Sequence, residues 1–287
     1  MATLIIDAGS TKTEWCVAAD GKVLHRFVSI GINPNYHEDS DIVANIESFV
    51  SDCPKGIYDE IESILYYGAG CAAEANKARM TTLLRRSVPV AHITVDSDLM
   101  GACRSLCESQ PGIAAILGTG AAACLYDGSH IVSRAPSLGF MLGDEGSGTH
   151  LGKMFLTDYL LGKFPKDIAN DFENEFSIDT ATVIRKIYRE PAPNRFMASL
   201  APFIAARLHK PEIWAFCKSC FDTFFKNQIL YFSEYQKYTL NIIGSVGFHF
   251  QEVIRECAVE NNVTVGVINA SPMPALVRQT KINKSIQ

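Results

Sequence analysis

Short apolar stretches with alternating polar positions open the chain. Residues 4–6 read as a strand, 14–18 as a second and 22–28 as a third, with Asp20-Gly21 as a hairpin turn. Apolar positions at Ile42, Val43, Ile46, Phe49 and Val50 recur at a helical period, so residues 41–53 predict a helix. A strand over 61–67 ends in Gly68-Ala69-Gly70, and an Ala-, Lys- and Arg-rich helix follows over 72–86. Residues 91–95 read as a strand and 98–109 as a helix.

The opening pattern then recurs. Residues 113–117 form a strand that ends in Gly118-Thr119-Gly120, 121–126 the next, and 129–133 a third, with Asp127-Gly128 as the second hairpin turn. A strand, a glycine turn and two more strands thus occur near residue 4 and again near residue 113. This predicts an α/β protein of two duplicated domains, 1–112 and 113–287, with a cleft between them. Helices are expected over 149–164, 179–188, 196–208 and 212–235. A strand over 239–243 then meets Gly244-Ser245-Val246-Gly247, a helix runs to about residue 261, and 263–268 is a last strand. The tail after Pro274 is basic and polar and carries no fold signal.

Composition narrows the function. A chain of 287 residues is long enough for two cores. Its net charge of −5 gives no general attraction to nucleic acid or anionic lipid, and no apolar run reaches the length of a membrane span. Met1-Ala2-Thr3 runs directly into the first strand without a secretory signal. The nine cysteines lie mostly in apolar segments, the pattern of reduced thiols in a cytoplasmic protein. Cys217 and Cys220 form a CxxC without a second ligand pair, and are expected to face a core rather than zinc.

Five polar segments sit where chemistry is expected. Asp7-Ala8-Gly9-Ser10-Thr11-Lys12-Thr13 follows a strand directly. Its small residues expose backbone N–H groups to an anion, the hydroxyls and Lys12 add donors, and Asp7 can orient hydrated Mg²⁺; a plain polar turn is the alternative. Gly118-Thr119-Gly120 is the equivalent turn of the second half. Two such turns can hold a nucleotide's phosphates. Asp96, at the end of a strand, is placed to accept a hydroxyl proton, with a cap or turn as the plainer role; Asp98 is assigned to capping. In Gly143-Asp144-Glu145-Gly146-Ser147, Asp144 can bind sugar hydroxyls, whereas Glu145 and Ser147 can be helix caps. Gly244-Ser245 lets a flat base lie against backbone.

In this order the segments resemble the actin, Hsp70 and sugar-kinase superfamily. Thr94-Val95-Asp96, Leu117-Gly118-Thr119-Gly120 and the Gly139–Ser147 run resemble the BadF/BadG/BcrA/BcrD ATPase family, and within it the N-acetylglucosamine kinases. The resemblance implies two ribonuclease-H-like domains, ATP and Mg²⁺ as cofactors, a small-molecule sugar as substrate, and room for a homodimer. It implies Asp96 as general base, Asp144 and Asn35 as ligands of the sugar, and Gly68-Ala69-Gly70 beside an N-acetyl group. Gly9, Ser10, Thr11, Lys12, Thr13, Gly118, Thr119 and Gly120 then hold phosphate, and Gly244 and Ser245 the adenosine. Leu138 stands where the animal enzymes carry an aromatic, and Ala-Gly-Ser stands in place of the first turn's usual Gly-Gly-Gly. The zinc motif of bacterial glucokinases and the cluster-binding cysteines of dehydratase activators have no counterpart. An ATPase that drives a partner protein and a non-catalytic sensor are the competing functions.

Overall fold

The structure, a computed structural model, describes residues 2–281. Met1 and the end of the basic tail, 282–287, lie outside the described residues. The chain divides into two compact units, one formed by the residues up to Ser109 together with those from Ser271 onward, the other by Gln110–Ala270. The boundary lies close to the expected one. The last segment, however, belongs with the first unit, whereas the sequence pattern had assigned everything from 113 onward to the second.

The first unit is a five-stranded sheet in the order β3-β2-β1-β4-β5. Strands β1 (Ala2–Ala8), β2 (Lys12–Ala19) and β3 (Lys22–Ile30) are antiparallel neighbours. Strands β4 (Ile61–Gly68) and β5 (His92–Ser97) add on parallel to β1. The β2–β3 connection is the two-residue turn expected, with Asp20 and Gly21 both at positive φ, 52° and 75°. One face of the sheet carries helices α1 (Asp39–Asp52), α2 (Lys55–Tyr58) and α3 (Glu74–Ser87), with Trp15 stacked 5.1 Å from Phe49 in that core. Helix α4 (Asp98–Leu106) and a C-terminal helix, Met273–Gln279, complete the unit. That last helix lies in the tail for which no fold was expected. It buries Met273, Leu276 and Val277, each worth about 1.5–3 kcal/mol when fully removed from water.

The second unit repeats the topology. Strands β6 (Gly112–Leu117), β7 (Ala121–Tyr126), β8 (Ile131–Arg134), β9 (Leu240–Ile243) and β10 (Val265–Asn269) pair in the order β10-β9-β6-β7-β8. The first three are antiparallel, and β9 and β10 are parallel to β6. Both sheets therefore have one arrangement, as the twofold pattern implied, and it is the ribonuclease-H-like one that the resemblance implied. The Asp127-Gly128 turn is longer than expected. It spans four residues and is closed by the Asp127 carboxylate, which accepts from the Ser129 and His130 N–H groups at 2.7 Å.

The helices of this unit are α5 (Gly139–Leu142), α6 (Gly148–Leu160), α7 (Lys166–Phe176), α8 (Thr180–Tyr188), α9 (Pro193–Ala198), α10 (Ala201–Ala205), α11 (Pro211–Phe224), α12 (Ser245–His249) and α13 (Gln251–Glu260). The single helix expected over 196–208 is two, because Pro202 has no N–H to continue the ladder of α9. The helix expected over 212–235 loses regularity at Phe225–Ile229, a π-helical turn. Cys217 and Cys220 are buried in α11, as expected, and burial pushes both thiols up, Cys217 far above its ordinary value and Cys220 to about 12. Among the described residues no helix is long and apolar enough to cross a membrane.

Candidate functional site

In the first unit, chain register sets up a row of polar groups at the carboxyl end of the sheet. Glu14 pairs with Asp7, Asp7 with Tyr67, and Tyr67 with Asp96. Registered partners on neighbouring strands share a face, so these four side chains leave the sheet on one side. The turn that follows Asp7 is closed by Gly9 N–H donating to Lys12 O at 2.9 Å, and Gly31 N–H braces it by donating to Thr11 O at 3.0 Å. Burial and the negative charges of Asp98 and Glu14 push Asp7 up to about 7, against the opposing charge of Lys12. Acid-rich surroundings of this kind fit a hydrated divalent cation. Among the described residues no three His, Cys, Asp or Glu are grouped to ligate a metal directly. Thr13 is different. It is fully buried in β2, and its hydroxyl has no hydrogen-bond partner among the described residues.

Asp96 ends β5, with Oδ1 accepting from the Ser97 N–H at 2.9 Å and lying 3.2 Å from Lys77 Nζ. The cap of α4 is Ser97, whose Oγ accepts from Met100 N–H at 3.3 Å; Asp98, expected to cap, is the first helical residue instead. Lys77 is also 3.0 Å from Glu74. Burial works against the Lys77 ammonium, but hydrogen bonds to Glu74 and Asp96 outweigh it and raise its pKa.

Helix α3 also holds the loop that carries Asn35. Asn76 Nδ2 donates to Asn35 Oδ1 at 2.7 Å and to Gly70 O at 2.8 Å. Arg79 donates to the Pro34 and His37 carbonyls and pairs with Asp39. Asp96, Asn35 and Gly70, far apart in sequence, are thus tied to consecutive residues of one helix. Asn76, Lys77 and Arg79 escaped the sequence reading, because nothing local distinguishes them from solvated helix residues. Close packing requires the two glycines of 68–70. A Cβ on Gly68 would lie 2.3 Å from the Tyr66 ring, and one on Gly70 2.3 Å from Asn33 Oδ1.

In the second unit the turn after β6 is closed by Gly118 N–H donating to Gly120 O at 3.0 Å. The start of α6 is stitched to it. Gly148 N–H donates to Gly118 O at 2.8 Å, and Thr149 Oγ1 donates to Thr119 O at 2.6 Å. Asp144, at φ 58°, accepts from the Ala121 N–H, and its Oδ2 would be 3.1 Å from a Cβ on Gly120. Burial raises the Asp144 pKa in spite of that hydrogen bond. Gly244, at φ 119°, backs the same turn: its Cβ would sit 2.3 Å from Leu117 O. Nothing lies within 4 Å of the Cβ position of Gly118, so its outer side is open. Ser245 is exposed at the start of α12.

Glu145 is not a cap. It is buried, with Oε1 accepting from Asn227 at 2.8 Å and Oε2 from Gln228 at 3.2 Å. The π-helical turn sets these two successive amides against one carboxylate. Burial alone would raise Glu145, but these donors hold it below the ordinary range. Ser147 does cap α6, accepting from His150 N–H at 3.1 Å. His150 Nδ1 accepts from Gly146 N–H at 3.3 Å, and burial and the Lys153 charge push the ring down to about 4, so it is neutral.

Two copies of one sheet, each with a glycine turn after its first strand, define a two-domain sugar-kinase-like ATPase fold. The chain belongs to the BadF/BadG/BcrA/BcrD ATPase family, whose model matches residues 6–158. A candidate N-acetylglucosamine kinase from Porphyromonas gingivalis is 37% identical, with a TM-score of 0.94 over 98% of this chain and 99% of that one. A second candidate N-acetylglucosamine kinase, from Chromobacterium violaceum, shares the fold at 18% identity and a TM-score of 0.72, over 97% and 99% of the chains. A ROK family glucokinase from Streptomyces griseus, solved with glucose and AMPPNP, does so at 11% identity and a TM-score of 0.58, over 98% and 99%. No curated protein matches the chain.

Proposed function

We propose that the protein transfers the γ-phosphoryl group of ATP to a hydroxyl of an amino sugar, with N-acetylglucosamine the favoured acceptor. The observation that carries this is the grouping in the first unit of a carboxylate, Asp96, with Asn35 and the Gly70 backbone around one end of α3. That is an acceptor site with a base in it. In the reaction the sugar oxygen bonds to the γ-phosphorus, the bond to the ADP oxygen breaks, and Asp96 takes the hydroxyl proton. The Ser10–Lys12 turn and the open side of Gly118-Thr119-Gly120 offer N–H and hydroxyl donors to phosphate oxygens, and Gly244-Ser245 a flat surface to the base. Asp7 would hold Mg²⁺ through water; when bound, the ion neutralises phosphate charge. Asp144 offers a carboxylate to sugar hydroxyls from the rim of the second turn.

ADP release measured with ATP and a panel of amino sugars tests the proposal. Sugar-dependent release supports it. Release that ignores every sugar would favour an ATPase acting on a partner protein, and no turnover would favour a sensor.

A further inference from the structure

The polarity of the Asn35 amide follows from a chain of hydrogen bonds. A backbone carbonyl only accepts, so the Asn76 atom 2.8 Å from Gly70 O is its nitrogen. The same nitrogen reaches Asn35 at 2.7 Å, and its two hydrogens serve the two contacts. Asn35 must therefore turn its oxygen toward Asn76. Its loop position is fixed as well, since Asn35 N–H donates to Asn33 Oδ1 at 3.0 Å and Arg79 holds the Pro34 carbonyl. Among the described residues the Asn35 NH₂ has no hydrogen-bond partner, and the residue is exposed.

We infer that Asn76 is a positioning residue that presents Asn35 to the acceptor as an N–H donor only. This rests on the sugar-kinase reading. The sugar oxygen that meets Asn35 is then held by its lone pair, and its own proton points elsewhere. A group at that position of the sugar that cannot accept a hydrogen bond is rejected, because the Asn35 amide is left unpaired.

Two substitutions reverse the outward polarity. Asn35→Asp keeps an oxygen for Asn76 and puts a second oxygen where the NH₂ was. Asn76→Asp places an oxygen against Gly70 O and makes Asn35 turn over. Each should raise the sugar KM by about tenfold or more, with the ATP KM and the Tm nearly unchanged. Side-chain amide NMR on the unliganded protein should show Asn76 protons exchanging more slowly than those of Asn35, and N-acetylglucosamine should shift the Asn35 signals. Faster exchange at Asn76, or a sugar KM that Asn35→Asp leaves within about threefold of the parent, would overturn the inference. If no amino sugar moves any amide signal, the sugar-kinase reading falls, while the order of exchange still decides the polarity.

Discussion

The Lys77 ammonium bridges Glu74, at 3.0 Å, and Asp96, at 3.2 Å, so the carboxylate proposed as base is held by a helix as well as by the Ser97 N–H of its own strand. Asp96→Asn should retain ATP and sugar binding and lower turnover by about 10²–10⁴-fold. Lys77→Met should lower kcat by about tenfold without changing the ATP KM, because the charge-assisted bond that orients Asp96 is lost. Steady-state kinetics check both, and a turnover within a few-fold of the parent in Asp96→Asn would refute the base assignment.

Asp144 accepts from the Ala121 N–H at the second glycine turn, and it is proposed to bind the sugar. Asp144→Ala should raise the sugar KM far more than the ATP KM. Equal increases would place the carboxylate with the nucleotide turn instead.

Two glycines of the second unit should separate binding from stability. Gly118→Ala fills open space where a phosphate is proposed, so the ATP KM should rise with the Tm nearly unchanged. Gly244→Ala brings a Cβ to 2.3 Å from Leu117 O at φ 119° and should destabilise the fold by about 2–4 kcal/mol. Thermal unfolding beside kinetics distinguishes the two.

His150 carries a pH signature. Its pKa is about 4 in the folded protein against the ordinary 6.5 of histidine, pushed down by burial and Lys153 and opposed by Glu145. The unfolded chain binds the extra proton first. The stability contributed by the neutral ring is therefore present above pH ~6.5 and lost as pH falls toward ~4, up to about 3 kcal/mol. His150→Asn, which keeps an acceptor for Gly146 N–H, should flatten that part of the stability curve in denaturant titrations at a series of pH values.

Much of this architecture could be read from the chain. Many strands are short apolar runs bounded by turn residues, and the duplicated turns made the repeat visible before any pairing was known. What escaped was non-local or sparse. Helix α7 buries only Ile168 and Phe172 among mostly polar residues, a stripe too thin to stand out. The C-terminal helix is short and carries Pro274 in its first turn. The choice between Ser97 and Asp98 as cap depends on one backbone conformation, which composition does not specify. Asn76 and Lys77 gain meaning only from where the Asn35 loop and Asp96 arrive in space.

The return of the chain from Ser271 to the first unit has a bearing on biosynthesis. Residues 110–270 are contiguous, so the second unit can mature while the polypeptide is still being made. The first unit cannot, because Met273–Gln279 must emerge before it can cover its side of a sheet built from residues 2–97. The half made first is finished last, and until then the growing chain carries an unroofed sheet that ribosome-associated chaperones would be expected to shield.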